Sequence, residues 1–458
     1  MLRLLCFLLL APIFSAAADS AVPSMERIRV DRKHRGFVDE SGRPFVPFGV
    51  SYFRPHTGWA PQVWSKFDPE ATRRDFALLK KIGANVVRVF LPAAPLWTAP
   101  DKLDPDALAK LDQFLDLADE ACLYVHPTGP EGWEGFPPWL SEQTKANGGR
   151  GVGNAVYLQA LQGFWTMLAT HLRGRRTIWA YDLQNEPTVG WNTPILQLRW
   201  IEWRRQHNEP PAPVPDSKAQ PPDPNLLEFQ HLRESLAEEW VAGLSKAIHA
   251  ADSSALVTIG LIQWSVPAQE MPLTQYSGFR PSLIARHLDF LELHYYPLVK
   301  GEYDYSSAEL EKINLSVLES MARECARPGL PLVLAEFGWY GGGTYRSHTA
   351  TEEQQAEWCR RLMEVTASLV CGWLNWGMYD SPDARDVSLL TGLFTADGQE
   401  KAWGRTFQEL SNRYRTTPPI FKFPTQADLP WDACIQSPNK MDDFRQRYFE
   451  AFQRNIYP

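Results

Sequence analysis

Eight short apolar runs, most of them followed by helically spaced residues, constrain this chain more than any other feature. They occupy residues 46–53, 85–91, 123–126, 178–184, 255–260, 290–294, 332–337 and 372–376. Short apolar strands alternating with helices read as βα units with a parallel sheet buried beneath the helices. Helix starts are marked between them. Asp68-Pro69 and Asp104-Pro105 each place a capping oxygen before a proline at the first helical position. Leu108, Leu111, Leu115 and Ala118 recur at helical spacing, as do Tyr157, Leu161, Trp165, Leu168 and Leu172. Ser306 with Glu309, and Thr351 with Gln354, have capping-box spacing. Only the fifth run lacks a clear helix after it, with a short candidate at residues 281–286. Eight such units predict a closed (β/α)8 barrel, the TIM barrel. An open doubly wound sheet would want a Gly-rich phosphate turn after its first strand, and "GVSYFRPHTG" is not one.

The 458 residues fit one barrel with additions. Residues 1–18 read as a signal peptide: Arg3, an apolar run over 4–10 extended through Phe14, then Ala16-Ala17-Ala18. Cleavage after Ala18 would release a secreted or periplasmic/extracellular product, with no transmembrane segment elsewhere. The catalytic barrel is assigned to 26–412 and a C-terminal extension packing on it to 413–458. An N-terminal hairpin is expected over 36–45, turning at Ser41-Gly42. An inserted loop at 188–225 joins a helical piece, "ILQLRWIEWRRQH", to the Pro-rich "NEPPAPVPDSKAQPPDPN". Because it follows a strand end, residues 192–225 are expected to cover part of the barrel mouth as a lid.

A net charge of −8 without a long basic run excludes a nucleic-acid footprint. Without Cys6 the chain keeps Cys122, Cys325, Cys359, Cys371 and Cys434, an odd number whose spacing matches no zinc site. No disulfide framework is indicated, and Cys122 and Cys371 are read as small core residues. No metal and no cofactor is expected.

In a barrel, the C-terminal strand ends converge on one mouth. Here they carry Arg88, His126, Asn185-Glu186, His294-Tyr295-Tyr296, Glu336 and Trp376. Any one of these has an ordinary explanation in core packing or a surface ion pair. Their recurrence at one level on six runs does not. Two carboxyl groups facing across such a mouth suit glycosidic bond cleavage, one protonating the leaving oxygen and one attacking the anomeric carbon.

The motifs "LQNEP", "ELHYYP", "LAEFGW" and "LNWGMYD", with "ANVVRVFL" and "GRPFVPFGVSYFRP" before them, resemble glycoside hydrolase family 5, a family of retaining barrel glycosidases. The resemblance implies Glu186 as acid/base and Glu336 as nucleophile. It implies that Asn185 bonds the sugar 2-hydroxyl, that Arg88 keeps Glu336 ionised, and that His294 and Tyr296 flank the carboxylates. Trp376 would floor the sugar subsite, and His126 joins the substrate-binding set. Trp59, Trp97, Trp133, Trp191, Trp264 and Trp339 lie in or near strand-end loops, where a ring either stacks on a sugar face or packs in the core. The implied activity is a secreted retaining β-glycoside hydrolase whose partner is carbohydrate, β-mannan or β-glucan first. Exo action on short oligosaccharides or glycoconjugates is the alternative, and a non-catalytic carbohydrate-binding barrel a third reading.

Overall fold

The computed structural model describes residues 25–58, 60–423 and 428–456. Eight parallel strands close into a barrel: β1 (Phe48–Ser51), β2 (Val86–Pro92), β3 (Tyr124–Glu131), β4 (Tyr181–Asn185), β5 (Val257–Leu261), β6 (Leu291–Tyr295), β7 (Leu332–Phe337) and β8 (Trp373–Asn375). All eight expected runs form strands. The third runs five residues beyond the expected His126, through "PTGPE", because β2 pairs with it along its whole length, from Val86↔Tyr124 to Pro92↔Glu131. Against β4 its register is a single pair, Thr128↔Asp182.

The outer helices are α1 (Pro69–Lys81), α2 (Pro105–Glu120), α3 (Ala155–Leu172), α4 (Pro194–Gln206), α5 (Leu226–Ala251), α6 (Ala308–Ala326), α7 (Glu352–Thr366), α8 (Ala402–Thr416) and α9 (Pro438–Ile456). Their starts are chemically specified. Asp68 accepts the Ala71 N–H, Asp104 accepts those of Asp106 and Ala107, and Thr351 with Gln354 closes a full capping box. At α6 the cap is Ser307, one residue after the expected Ser306, because Asp304 accepts the Ser306 N–H and ends the preceding turn there. After β5 come only short pieces: 3-10 turns at Gln263–Ser265 and Leu273–Gln275, then a single helical turn, Pro281–Ile284, running into a 3-10 turn at Ala285–His287.

The N-terminal hairpin forms between Gly36–Val38 and Pro44–Phe45, with Gly42 at φ +79°, and a third strand, Arg29–Asp31, pairs on its far side. This small sheet plugs the barrel bottom: Phe37 packs edge-on against Trp179 and Phe290, 5.3 and 5.1 Å between centroids. Helix α9 lies on α6, where the Tyr448 hydroxyl donates to Glu319 at 2.9 Å.

The inserted segment is a buttress and not a lid. Its helix α4 turns Trp200, wholly buried, onto Phe229 of α5, and the Trp200 indole N–H donates to Pro213 O at 3.0 Å. The Pro-rich stretch is thereby strapped down, with Trp191 donating to Pro215 O and Arg204 bonded to Pro210 O and Glu228. The apolar face of α4 needed burial, and α5 supplied it. Cys122, Cys325, Cys359, Cys371 and Cys434 are all free thiols. Both Cys122 and Cys371 are half-buried: Cys371 packs against the apolar cluster at the barrel bottom, while Cys122 closes the turn before β3 at φ +51°. No helix among the described residues is long and apolar enough to cross a membrane.

Candidate active site

Inside the barrel, side chains of alternate residues point inward, so an acid two or four positions before a strand-end acid shares its face. Arg88, Asp182, Glu292 and His126, all wholly buried, form a charged layer beneath the mouth. Arg88 organises it. Its Nη2 donates to Asp182 Oδ2 at 3.0 Å and to Asn185 Oδ1 at 2.7 Å, and its Nη1 donates to Glu336 Oε2 at 3.0 Å. Burial opposes the charge on this guanidinium, but Asp182 and Glu336 more than restore it, so Arg88 is a fixed cation.

Glu336 stands at the end of β7, in register with His294 of β6. The Tyr296 hydroxyl donates to its Oε1 at 2.8 Å, and His294 Nδ1 lies 3.4 Å from its Oε2. Glu186, one residue past β4, turns its carboxyl toward the same imidazole, with Oε1 3.0 Å from His294 Nδ1. His294 Nε2 has no partner among the described residues, so the network assigns the ring proton to Nδ1, shared between the two carboxylates. Burial lowers the His294 pKa, which keeps the ring a neutral donor. One oxygen of Glu186 and one of Glu336 lie within 4.8 Å of each other.

The two carboxyl groups differ electrostatically. Glu186 is pushed up to about 7, chiefly by burial, with Asp182 adding to the shift and Arg88 opposing it. Burial also raises Glu336, helped by the charge of Glu186, while His294, Arg88 and the Tyr296 hydroxyl pull it back. Three groups thus favour the anion at Glu336, against one at Glu186. Backbone geometry separates the two as well: Glu186 adopts φ +50°, a left-handed conformation uncommon for a side chain of its size.

A cleft of about 320 Å³ opens over this pair. Asn185, Glu186, Tyr296, Glu336 and Trp376 line it, together with Trp133, Trp339, Leu298, Glu302, Tyr345, Asp386 and Val387. Trp376 rests against Phe53 and Phe90, and its indole N–H donates to Ser388 Oγ at 2.7 Å. Tyr345 arrives on a hairpin, Gly343–Tyr345 with His348–Ala350. The inserted segment contributes none of the residues that line this cleft.

Six of the eight residues anticipated for the site therefore gather at one mouth, and Arg88 is bonded to Asn185 and Glu336 from the layer beneath it. His126 does not reach it. Its Nε2 lies 2.7 Å from Glu292 Oε1 and its Nδ1 2.8 Å from Ala180 O, so both ring nitrogens are engaged inside the barrel, away from any ligand. Of the loop tryptophans, Trp133 and Trp339 line the cleft, Trp97 is buried against Trp139 and Phe164, Trp191 packs on Phe229, and Trp264 is half-buried away from it. Trp59 lies outside the described residues. Sequence reading passed over Asp182, Glu292, Glu131 and Ser388. The signal for the first two was an acid in phase with a strand-end acid or histidine, Asp182 with Glu186 and Glu292 with His294.

Among the described residues, two groups bring ligand-type atoms within 4.8 Å of one another: His126 with Asp182 and Glu292, and Glu186 with His294 and Glu336. In the first, the Arg88 guanidinium already sits 3.0 Å from Asp182 and supplies the positive charge that a cation would bring. In the second, the His294 N–H points between the carboxylates where an ion would have to lie.

The sequence matches the cellulase family (glycosyl hydrolase family 5) over residues 38–381. No curated protein matches it. Among solved structures, the exo-beta-1,4-mannosidase Op5Man5 from Opitutaceae bacterium strain TAV5 superposes with a TM-score of 0.60 at 18% identity, over 84% of this chain and 62% of its own. A GH5_18 protein from Streptomyces cattleya in complex with GlcNAc gives 0.64 at 19% identity, over 89% and 92% of the two chains. A GH5_18 variant from Bifidobacterium longum subsp. longum ATCC 55813, in complex with Manβ1-4GlcNAc, gives 0.63 at 16% identity, over 90% and 89%.

Proposed function

We propose, on the premise that this chain belongs to the cellulase family, glycosyl hydrolase family 5, that this glycoside hydrolase cleaves β-linked sugars with retention, by double displacement at Glu336 and Glu186. The observation that carries the reading is the closeness of the two carboxyl groups, with oxygens within 4.8 Å of each other and a shared imidazole between them. Retaining enzymes hold their carboxyl groups at about 5–5.5 Å, whereas inverting ones leave roughly 6.5–9.5 Å for a water. Glu336, with three groups favouring its anion, attacks the anomeric carbon while the glycosidic C–O bond breaks. Glu186, partly buried at the cleft and held protonated to about pH 7, gives its proton to the departing oxygen. In the second half, the Glu186 carboxylate takes a proton from water. That water's oxygen bonds the anomeric carbon, and the ester to Glu336 breaks. Asn185, held by Arg88, is placed to meet the 2-hydroxyl, and Trp376 supplies the apolar floor.

A terminal β-mannoside on a short oligosaccharide or glycoconjugate is the substrate best supported, with long β-mannan or β-glucan second. A cleft of about 320 Å³ is at the small end of the roughly 300–1,000 Å³ typical of small-molecule sites. The solved structures that superpose on it include an exo-mannosidase and a complex with Manβ1-4GlcNAc. Export rests on the Arg3-to-Ala18 pattern, which lies outside the described residues. The test is hydrolysis of aryl β-mannosides, aryl β-glucosides and β-mannan, with product size and anomeric configuration followed by proton NMR. Release of β-mannose from chain ends supports the proposal. An α-anomer as first product removes the retaining mechanism, and a ladder of internal fragments removes exo action.

A further inference from the structure

We propose that Glu131 is a positioning residue for this reaction, its side chain replacing a missing strand partner so that the Asn185-Glu186 peptide is held in its reactive pose. The inference rests on the glycosidase reading only for the roles of the two residues it positions. Successive N–H groups of a strand point to opposite neighbours. At the end of β4, the Glu186 N–H turns to β5 and donates to Gly260 O at 2.9 Å. The Asn185 N–H turns the other way, to β3. That strand follows β2 to Pro92↔Glu131 and keeps one register pair with β4, three residues earlier at Asp182. In place of a backbone carbonyl, Glu131 Oε1 accepts the Asn185 N–H at 2.8 Å. With Arg88 on Asn185 Oδ1 at 2.7 Å, the dipeptide is fixed from three strands.

Fixing it matters because Glu186 sits at φ +50°. A strained conformation of this kind persists only where its surroundings over-determine it. Released from Glu131, the peptide can relax toward an extended geometry, which swings the Glu186 carboxyl away from His294 and the Asn185 amide away from the cleft. Glu131 itself is 4% exposed. Burial pushes its carboxyl up to about 8, with Asp182 of β4 and Glu186 just past it adding to the shift and the Asn185 N–H and Arg88 of β2 opposing it. Tyr157 of α3 faces it from outside the barrel. At neutral pH the group that accepts the Asn185 proton is therefore uncharged, so an amide oxygen can stand in for it.

Three variants separate positioning from general stability: Glu131→Gln keeps an acceptor oxygen, Glu131→Asp draws it back, and Glu131→Leu removes it. Glu131→Gln should stay within about 3-fold of the parent kcat on an aryl β-glycoside that the parent hydrolyses. Glu131→Leu should lose roughly 10²-fold in kcat with KM nearly unchanged, the scale expected when a reacting group is misplaced by about 1 Å. Glu131→Asp should fall in the same direction, and it decides the matter if Glu131→Leu does not fold. A second readout needs no turnover: in protein labelled with ¹³C-glutamate, the Glu186 titration near about 7 should move in Glu131→Asp and not in Glu131→Gln. If the parent hydrolyses no β-glycoside, the glycosidase reading fails and this titration still decides the positioning claim. Equal impairment in Glu131→Gln and Glu131→Asp, or an unmoved titration with full activity in Glu131→Asp, overturns it.

Discussion

The Tyr296 hydroxyl donates to Glu336 Oε1 over 2.8 Å. Burial and the neighbouring carboxylates hold that phenol protonated far above the working range, so it is a permanent donor to the proposed nucleophile. Arg88 holds the other oxygen at 3.0 Å. A hydrogen bond to a charged group contributes about 1.5–3 kcal/mol, so Tyr296→Phe should lower kcat/KM by roughly 10- to 150-fold. Losing a donor to the anion raises the Glu336 pKa, which moves the acidic limb of the pH–kcat/KM profile to higher pH. Steady-state rates on an aryl glycoside across the pH range check both effects, and an unmoved acidic limb would show that Tyr296 does not act through Glu336.

Glu186 sets the other limb. Its pKa is raised to about 7, so the protonated acid is present below that pH and is lost as pH rises through it. Activity on substrates with poor leaving groups should therefore fall above about pH 7, with Glu336 ionisation shaping the acid side. Glu186→Ala should abolish the basic limb, spare the first step for activated leaving groups, and be accelerated by azide with formation of a β-glycosyl azide. Glu336→Ala should stop turnover, and any azide product should be the inverted α-anomer. Product NMR reads the outcome, and an inverted product from Glu186→Ala would exchange the two roles.

The barrel and the meeting of Glu186 with Glu336 at its mouth were legible because short apolar strand runs and strand-end motifs are local in sequence. "YDLQNE" and "LAEF" announce themselves within a few residues. The charged layer was harder to read, although its phase was available: Asp182 and Glu292 sit in step with Glu186 and His294 inside otherwise apolar runs. His126 was misplaced because a strand-end histidine looks the same whether it faces a ligand or a buried acid. Only the long β3 and the approach of Glu292 to 2.7 Å settle the difference. Glu131 was invisible, since its role depends on β3 separating from β4, a property of barrel closure that no single segment encodes. The inserted segment misled because proline content reports an extended backbone and says nothing of what its aromatic residues pack against.

That segment supplies a stability prediction. Trp200 is wholly buried, stands edge-on to Phe229 at 5.4 Å and donates to Pro213 O. Replacing it by alanine removes a large core side chain and frees the Pro-rich strap, at a cost of about 3–5 kcal/mol. Because the segment contributes nothing to the cleft lining, KM and chain-length preference should stay as they are. Urea unfolding with parallel kinetics tests the pair of statements, and a shifted product-length profile with unchanged stability would restore the lid.

Gly260 offers the sharpest test of how rigidly the centre is built. A methyl group added there would lie 2.8 Å from His294 Cε1, 2.9 Å from its Nε2 and 3.2 Å from Asp182 Oδ2. None of these neighbours can yield easily. His294 is 1% exposed, with Nδ1 held between Glu186 and Glu336, and Asp182 is locked by Arg88, by Thr128 and by the Gly260 N–H itself. The close approach of strand to imidazole is what requires glycine. Overpacking of this kind costs about 1–3 kcal/mol, so Gly260→Ala should remain folded while its imidazole is pushed off the line between the carboxylates. The expected result is a fall in kcat of roughly 10- to 100-fold with a smaller effect on KM, because a shared donor displaced by a few tenths of an ångström serves both acids badly. Gly36→Ala, where an added methyl meets nothing within 4 Å, is the control and should leave rate and stability unchanged. If Gly260→Ala turns over at the parent rate, His294 is free to move and does not position the two carboxylates.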